Sequence, residues 1–591
     1  DLLNHGNLTV RTLATHELVD RVGAAAVESL QSLVGSAQSS ANQRIHGLWA
    51  LERLGGLNAS LVETLAHDAD RGVRVHLVKM LAERSWSDSP WVLAALSDSD
   101  PFVRRAAADA LGRHPSANNI NPLLALWAAT AAEDTHLIHV ARMALRDQLL
   151  KPGIYAQLVQ LVGASPEDRE RVANVSLGVP NQESAAYLLE HLQTHPTVAA
   201  RDRYLHHAAR YLPEERLPQI YRWAREQSNL DADQQAGIVR ALKHSLDERG
   251  GSLPAEINDR ATRLATGLLL GQAETQVRAG IDLAREFRTP AFDTLAEAAG
   301  PAAKFPSLRS AAIDACVACD MARSLQILSD ILAKSTEPLN LRQQSAAALG
   351  RSGDEHARDQ LVAQLQIAPE QLAVEIANAL ADSPAGGEAL LAMIAGGRAS
   401  PRLVQERAVA MRLRNAKLDK INERIDKLTA GLPPRDARTR ALIDARRERI
   451  NATHPDLAQG VAIFEKHCAI CHRIGERGAK IGPNLDGVGI RGLDRLLEDV
   501  LDPNRNVDQA FRTTQIVSTD GRIISGLALR EEGRVLVLAD AQGKELRVPQ
   551  EEIDQRAVSP LSLMPTNVTD LVSEAEFVNL LGYLLSQKQP K

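Results

Sequence analysis

Aromatic residues are scarce in this sequence, and so are the features that point to a membrane or to nucleic acid. Phe, Trp and Tyr together make up only 3% of the 591 residues, and the formal net charge is -6. Such a chain offers few rings on which bases can stack and no basic surface that would attract phosphates. A run of about 18 apolar residues is also missing. We therefore expect no nucleic-acid partner and no membrane span.

The shortage of aromatics restricts how the chain can bury a core. Burial has to come from small and aliphatic side chains, and Ala and Leu are abundant. Because 591 residues exceed what one hydrophobic core can hold, the sequence predicts either several domains or a repeat array.

A short motif recurs along the chain and favours the repeat array. It is an apolar residue followed by Arg, with a spacing of 30 residues in the first part and of 31 and 33 residues further on. Such periods indicate HEAT-type helical repeats. The pairs are Val73-Arg74, Val103-Arg104, Val277-Arg278, Leu308-Arg309 and Leu341-Arg342. We predict a HEAT-like array over residues 1–410, in which these arginines hydrogen-bond helix ends and neighbouring turns.

A charged segment follows over residues 411–455. Apolar residues at helical spacing predict one helix, a stop at Gly and Pro, and a second, more charged helix. The residues concerned are Leu418, Ile421, Ile425, Leu428, Gly431, Pro433, Pro434, Leu442 and Ile443. We interpret this segment as a helical connector. It is either a long solvated helix or a docking element, and we favour the solvated helix.

The four cysteines form two C-x-x-C pairs, and only one pair is followed by His. In Cys468-Ala-Ile-Cys471-His472 the two thiols can add to the two vinyl groups of a haem, and the imidazole can bind the iron from the same face. Zinc would need a second ligand pair, and none lies between Cys471 and the C-terminus. The motif therefore predicts one covalently bound haem c.

The second pair, Cys316 and Cys319, lies in a predicted repeat helix. Asp320 stands where a haem motif would have His, which argues against a second haem. The two thiols are either a redox pair or buried side chains on one helical face. We favour the buried side chains.

The segments on either side of the haem motif predict two helices that cross. The first begins near Pro455 and carries Gly460 and Phe464 on one face. The second is the C-terminal helix, which opens with a capping box of Ser573 and Glu576. This arrangement is similar to class I cytochromes c, in which a Gly on the first helix allows the last helix to approach closely.

The same similarity implies the ligands of the iron. His472 is the proximal ligand, and Pro483 resembles the proline whose carbonyl accepts a hydrogen bond from the free ring nitrogen of that histidine. The sixth ligand is expected from a thioether just before the last helix, where Met564 lies. A buried core side chain is the alternative for Met564. His467 is a rival ligand, but it adjoins the first Cys and we expect it to be exposed.

His472 and Met564 lie 92 residues apart, which leaves room for an insertion. Alternation and turn signals predict strands over 512–518, 522–529, 534–539 and 545–549, with tight turns at Asp520-Gly521 and Gln542-Gly543. We expect a cytochrome c domain over residues 456–591 with a β insertion at about 512–555. The predicted fold class is mainly α, a HEAT-type helical solenoid followed by a cytochrome c domain with a small antiparallel β insertion.

Several segments of this region carry a family resemblance. They are residues 478–487, 501–507, 520–526 and 562–565, the last reading Ser-Leu-Met-Pro. Together they resemble the planctomycete and verrucomicrobial type of haem-binding domain, over about residues 456–587. In that family the domain often follows a HEAT array and, before it, a β-propeller resembling sugar or sorbosone dehydrogenases. The resemblance implies a dehydrogenase as electron donor, although we recognise no propeller strands in this sequence.

These expectations combine into a function. His/Met ligation suits electron transfer, so we expect a carrier between a dehydrogenase and a downstream cytochrome or oxidase. We recognise no nucleophile-base pair, nucleotide loop or metal cluster beside the motif and assign no catalytic residue. Two alternatives stay open, a haem-based enzyme or sensor with a labile distal ligand and an interaction scaffold built on the HEAT array.

Covalent haem attachment also bears on localisation. Haem c is attached outside the cytoplasm, on the periplasmic side in bacteria, so the motif implies an exported protein. The sequence opens at Asp1 without a charged and apolar leader. We expect that a targeting segment was removed or lies outside the present sequence.

Overall fold

The computed structural model describes residues 1–83, 90–161, 165–227, 229–432, 435–519, 523–566 and 568–588. The chain divides into two compact units, Asp1–Asn229 and Leu230–Lys591. Within the described ranges, no helix combines the length and the apolar character that crossing a bilayer requires. The predicted fold class, mainly α with helical repeats and a small antiparallel sheet near the C-terminus, is confirmed.

The first unit is a series of short helices, several of which begin with a side-chain cap. In one of them Asp100 accepts a hydrogen bond from Phe102 N, and Pro101 occupies the first turn. Its apolar stripe, which includes Val103 and Leu111, is buried in the core. The α-helices are α1 (Leu8–Glu17), α2 (Val27–Gly35), α3 (Ala41–Arg53), α4 (Ala59–Ala66), α5 (Arg71–Glu83), α6 (Pro90–Ala95), α7 (Pro101–Arg113), α8 (Ile120–Ala129), α9 (Thr135–Leu149), α10 (Tyr155–Leu161), α11 (Pro166–Ser176), α12 (Gln182–Thr194), α13 (Arg201–Tyr211) and α14 (Leu217–Glu226). Leu18–Val22 is a π-helical turn, and the 3-10 turns are Leu2–Asn4, Gly23–Ala26, Ala117–Asn119 and Glu214–Arg216.

Contacts between arginine and aspartate tie successive repeats of the first unit together. Arg44 Nε lies 2.8 Å from Asp68 Oδ2. Arg74 Nε lies 2.7 Å from Asp98 Oδ2 in the next turn. The main-chain carbonyls of the same two aspartates accept hydrogen bonds, both of 2.8 Å, from Arg74 and Arg104. Each aspartate turn is thus held by arginines from two successive repeats, on α3 and α5 for Asp68 and on α5 and α7 for Asp98. The hydrogen bond from Arg74 lowers the pKa of Asp98.

The second unit continues the helical repeats. The hydrogen bonds predicted for the repeat arginines are present, because Arg309 Nε donates to Ala299 O and Arg342 Nε donates to Leu332 O, each at 2.9 Å. Arg278 differs, since its side chain is exposed. The repeat helices are α15 (Ala232–Arg249), α16 (Ala255–Leu269), α17 (Glu274–Phe287), α18 (Phe292–Ala299), α19 (Arg309–Cys319), α20 (Met321–Ala333), α21 (Leu339–Arg351), α22 (Glu355–Leu365), α23 (Glu370–Ala381), α24 (Pro384–Ala395) and α25 (Arg407–Asn415), with 3-10 turns at Pro306–Leu308 and Pro401–Gln405.

The charged connector docks on the C-terminal region of the chain. The favoured interpretation, a long solvated helix, was therefore wrong. Its helices are α26 (Ile421–Thr429) and α27 (Arg435–Asn451), and the predicted stop at Pro433-Pro434 lies outside the described residues. Ile443 and Ile450 of α27 are buried in the apolar cluster of the C-terminal region. Arg446 forms an ion pair with Glu574 of that region. A few aliphatic residues, Leu442, Ile443 and Ile450, thus suffice to dock a helix that is otherwise rich in charged residues.

The C-terminal region combines helices with a sheet. The helices are α28 (Leu457–His467), α29 (Leu493–Leu501), α30 (Val568–Leu571) and α31 (Glu574–Ser586), with 3-10 turns at Val488–Arg491, Gln509–Phe511 and Gln550–Glu552. The predicted capping box of Ser573 and Glu576 opens α31. The strands are β1 (Arg473–Ile474), β2 (Arg477–Gly478), β3 (Arg512–Ser518), β4 (Ile523–Glu532), β5 (Val535–Ala539), β6 (Glu545–Pro549) and β7 (Ile553–Ser562). Strands β3 to β7 form an antiparallel sheet in the order β6-β5-β4-β3-β7.

The sheet contains the four predicted strands and one more. Strand β7 was not predicted, and it pairs with β3 so that Thr514 lies opposite Val558. The insertion therefore extends to Ser562 instead of ending at about 555. The Gln542-Gly543 turn joins β5 to β6, as predicted, and Gly543 has a φ of 73°. The predicted Asp520-Gly521 turn lies outside the described residues.

One end of the sheet rests on the repeats of the second unit. Arg547 Nη2 of β6 lies 2.8 Å from Glu248 Oε1, and the Arg534 N–H donates to the Glu248 carbonyl oxygen at 3.0 Å. The Glu248 side chain is only 3% exposed, so this charge pair is shielded from solvent. Lys544 Nζ lies 2.6 Å from Asp282 Oδ1 of α17. The inserted sheet is thus attached to the repeats by directional polar contacts.

Arg309 and Glu337 form a buried ion pair whose removal should destabilise the repeats. Their side chains are 8% and 5% exposed, and Nη1 lies 2.7 Å from Oε2. Arg309→Met leaves Glu337 as a buried charge without a partner, which costs about 3–5 kcal/mol. We expect a lower midpoint of urea unfolding, followed by circular dichroism of the full chain. The double variant Arg309→Met/Glu337→Leu should recover most of this loss, because an apolar pair can replace a buried ion pair.

Arg278→Met is the matched control for this prediction. Arg278 has the same place in the repeat motif, but its side chain is exposed. Its replacement should change the free energy of unfolding by no more than about 0.5 kcal/mol. Equal losses in the two single variants would contradict the assigned role of the buried pair.

Candidate haem-binding site

The C-x-x-C-H motif lies in a turn that directly follows α28. Asp456 caps the start of this helix by accepting hydrogen bonds from two main-chain N–H groups. At its end the Cys468 N–H donates to the Phe464 carbonyl oxygen at 2.8 Å. The N–H groups of Cys471 and His472 both donate to the Cys468 carbonyl oxygen, at 3.1 and 2.9 Å. One turn of chain therefore fixes both thiols and the imidazole relative to each other.

The loop after the motif orients His472. Its Nδ1 lies 2.9 Å from the Pro483 carbonyl oxygen. Because a carbonyl only accepts hydrogen bonds, Nδ1 carries the proton and Nε2 keeps its lone pair for a metal. Gly482 lies against the ring, since an added Cβ would come within 3.0 Å of His472 Cε1. Burial lowers the pKa of His472 and so favours the neutral imidazole that binds metals.

The donor set of the motif fits a covalently attached haem. Cys468 and Cys471 are free thiols, and burial raises the pKa of Cys468 to about 11 and also raises that of Cys471. Two thiols beside an imidazole with a free Nε2 are the groups that such a haem requires. In the part of the chain that the structure describes, no three or more His, Cys, Asp or Glu side chains are grouped so as to hold a metal ion.

Helices α28 and α31 cross next to the motif, as predicted. A Cβ on Gly460 would overlap the carbonyl oxygen of Asn579 and come within 2.7 Å of Tyr583 Cβ. Beside this contact the rings of Phe464 and Tyr583 lie 5.7 Å apart between centroids and are tilted by 57°. Only glycine allows this approach, because any side chain at position 460 would push the two helices apart.

Met564 lies just after the end of β7. Its N–H donates to Ser562 Oγ at 3.1 Å, and the Ser562 N–H donates to Asn504 Oδ1 at 2.7 Å. The half-buried Met564 side chain packs against the apolar cluster that also takes in Cys468 and Phe577. The structure thus brings Met564 and the motif to one apolar cluster, and the role of Met564 as an iron ligand stays a prediction.

His467 differs from the expectation that it is exposed. It is the last residue of α28 and is half-buried. Burial, and then the charge of Lys466, lowers its pKa, whereas Glu576 at the start of α31 acts in the opposite direction. The end of α28 is therefore partly covered where the two helices approach each other.

The second C-x-x-C pair is part of the repeat core. Cys316 is buried in α19, and Cys319 is half-buried with its Sγ donating to the Ala284 carbonyl oxygen at 3.3 Å. Burial raises the pKa of Cys316 to about 12 and that of Cys319 to about 11. Thiols in this state are poor nucleophiles, which supports the interpretation as buried side chains.

Sequence reasoning missed a contact between the inserted sheet and the haem motif. The β5–β6 turn, residues 540–544, is closed by a hydrogen bond of 2.9 Å from Asp540 N to Lys544 O. A Cβ on Gly543 would lie 2.6 Å from the carbonyl oxygen of Ile470, which stands between the two thiols. The turn itself was predictable from Gln542-Gly543, but its partner was not, because no local pattern encodes a tertiary contact.

A cavity of about 820 Å³ lies near the motif but is separate from the donor atoms. It is lined by Arg473, Ile474, Gly475, Glu476, Arg477, Lys480, Gly482, Asn484, Asp486, Tyr583 and Gln587. Neither thiol of the motif, nor His472, nor Met564 is among these residues. We therefore do not identify it with the space for a haem.

Some solved structures resemble this chain at low identity. The karyopherin Kap121p, bound to the extreme C-terminus of the protein phosphatase Cdc14p, is 12% identical over 78% of this chain and 57% of its own, with a TM-score of 0.47. Importin beta is 12% identical over 78% of this chain and 71% of its own, with a TM-score of 0.37. Human deoxyhypusine hydroxylase is 15% identical over 63% of this chain and 98% of its own, with a TM-score of 0.17. This chain thus spans little more than half the length of the karyopherin.

Two segments of the chain match known protein families. Residues 58–146 match the family model of HEAT repeats, and residues 457–516 match that of cytochrome c. No curated protein matches the chain. The HEAT match supports a helical scaffold in the first unit. The cytochrome c match covers the motif, implies haem and iron, and supports a haem-based electron-transfer role.

Proposed function

We propose that this chain transfers electrons through one haem c, bound covalently to Cys468 and Cys471 with His472 and Met564 as axial ligands. The observation that carries the proposal is the imidazole directly after the two thiols, oriented by the Pro483 carbonyl at 2.9 Å. When bound, the haem would supply one-electron chemistry at its iron.

The residues around the motif have defined roles in this proposal. The Pro483 carbonyl fixes the tautomer and direction of the His472 ring, and Gly482 leaves space beside it. Met564 would supply a thioether, which raises the reduction potential relative to a second imidazole and fills the sixth position. The apolar cluster that includes Phe464 and Phe577 keeps water away from this region. Such an arrangement suits reversible electron transfer better than binding of small molecules.

The proposed donor is a sugar or aldehyde dehydrogenase, held by the HEAT array or fused to it. The resemblance to the haem-binding domain of planctomycetes and verrucomicrobia supports this donor, and helical repeats commonly provide extended binding surfaces. A downstream cytochrome or an oxidase is the proposed acceptor. Because haem c is attached outside the cytoplasm, we also propose that the protein is exported, to the periplasm in a bacterium.

One prediction of this proposal concerns Met564. Met564→Ala should produce a ferrous protein that binds carbon monoxide readily, because the alanine leaves the sixth position open. The parent protein should resist carbon monoxide, as judged by the Soret spectrum before and after addition. Met411→Ala is the control, since it removes the nearest preceding methionine of the chain and should leave the parent behaviour unchanged. Ready binding by the parent would instead favour a haem-based sensor or enzyme.

Another prediction of this proposal concerns the source of electrons. The purified ferric protein should stay oxidised when mixed with aldoses or aldehydes, because we assign no catalytic residue to this chain. The ferric protein should become reduced once a sugar or aldehyde dehydrogenase, of the type found with this kind of haem-binding domain, is added with its substrate. The reduction is followed by the α-band absorbance of the haem. Direct reduction by the sugar, without another protein, would show that an active site lies within this chain.

A further inference from the structure

The β5–β6 turn contacts the haem motif and the repeats at the same time. Gly543 packs against Ile470, and an added Cβ would lie 3.2 Å from Ile470 Cγ1 as well as close to its carbonyl oxygen. The next residue, Lys544, forms the 2.6 Å ion pair with Asp282 of α17. The turn therefore connects the loop between the two thiols with a helix of the repeat array.

The same turn carries a carboxylate without a cation beside it. Asp540 Oδ1 accepts hydrogen bonds from Gln542 N at 2.9 Å and from Lys544 N at 2.8 Å. The ammonium group of Lys544 is engaged by Asp282, and no ion pair of Asp540 occurs among the described residues. Asp540 is half-buried, which reduces screening of its charge by water. The turn that holds this carboxylate packs through Gly543 on Ile470, which stands between the two thiols, so the charge lies beside the haem motif.

We propose that Asp540 lowers the reduction potential of the haem iron, and that the repeats maintain this effect by holding Lys544 on Asp282. The inference rests on the proposed haem c function. A fixed negative charge stabilises the ferric iron, which carries one positive charge more than the ferrous iron, and hence disfavours reduction. Asp540 acts through its electric field and is therefore a tuning residue that touches neither iron ligand.

The test uses the full haem-loaded chain and a redox titration of its absorbance spectrum. Asp540→Asn removes the charge but keeps a side-chain oxygen that can accept the two main-chain hydrogen bonds. We expect up to about a tenfold higher ratio of ferrous to ferric protein at a fixed solution potential, or about 59 mV for one electron. Asp540→Glu keeps the charge and should stay near the parent value. Asp554→Asn, which removes an exposed charge from β7, is the matched control and should leave the potential nearly unchanged.

The outcomes separate this inference from the proposed function. An unchanged potential in Asp540→Asn, with parental haem content and spectrum, would overturn the inference while leaving the haem assignment intact. Loss of the parental spectrum in this variant would also overturn it, because Asp540 would then have a structural role. Absence of covalent haem from the parent, measured as pyridine haemochrome, would overturn both.

A second set of variants tests the part played by the repeats. Asp282→Asn releases Lys544, whose ammonium group can then approach Asp540 in the same turn, so the potential should rise. The double variant Asp282→Asn/Lys544→Gln removes this cation and should return the potential toward the parent value. If the double variant kept the full shift of Asp282→Asn, Lys544 would not mediate the effect, and the role of the repeats would be refuted.

Discussion

The close crossing of α28 and α31 at Gly460 is the contact on which the C-terminal region depends. It brings residues more than a hundred positions apart into one apolar cluster, and it sets the direction in which α28 delivers Cys468 to its end. Short hydrogen bonds then fix the main chain of the motif, the direction of the His472 imidazole and the main chain at Met564. A site of this kind is positioned mainly by backbone geometry, since the Pro483 carbonyl and the glycines at 460 and 482 contribute no side-chain chemistry.

The repeats of the second unit hold the C-terminal region in place through specific contacts. The inserted sheet joins the two parts, because Arg547 and Lys544 contact the repeats while the Gly543 turn packs on Ile470 of the haem motif. Helix α27 adds a second attachment, because Ile443 and Arg446 contact the C-terminal region while Arg438 donates a hydrogen bond to Gln405 of the repeats. A haem held in this way would keep a fixed orientation relative to the repeats, which suits exchange of electrons with a partner bound there. Its reduction potential would also depend on charges that the repeats hold in place.

Much of the local structure was predictable because its signals are local. Alternation and turn residues located β3 and β6 at the limits that the structure has, and the Ser573 capping box located the start of α31. Strand β7 escaped prediction because residues 553–562 include charged residues and Pro560, and pairing with β3 gives them their strand structure. The docking of α27 was not predicted for a similar reason. A stripe as narrow as Ile443 and Ile450 does not indicate whether the helix is solvated or docked until the apolar cluster that it contacts is known. The predicted limits of the domains stay a prediction, apart from the end of the β insertion, which β7 moves to Ser562.

The central claim is that this chain holds one haem by covalent bonds to Cys468 and Cys471. The most direct measurement combines the pyridine haemochrome spectrum with the intact mass of the denatured protein, after maturation in a periplasm that contains haem-ligation machinery. We predict a mass increase of one haem per chain, and none in Cys468→Ala/Cys471→Ala. A parent without haem after denaturation would contradict the claim, and two haems per chain would contradict the structural role assigned to Cys316 and Cys319.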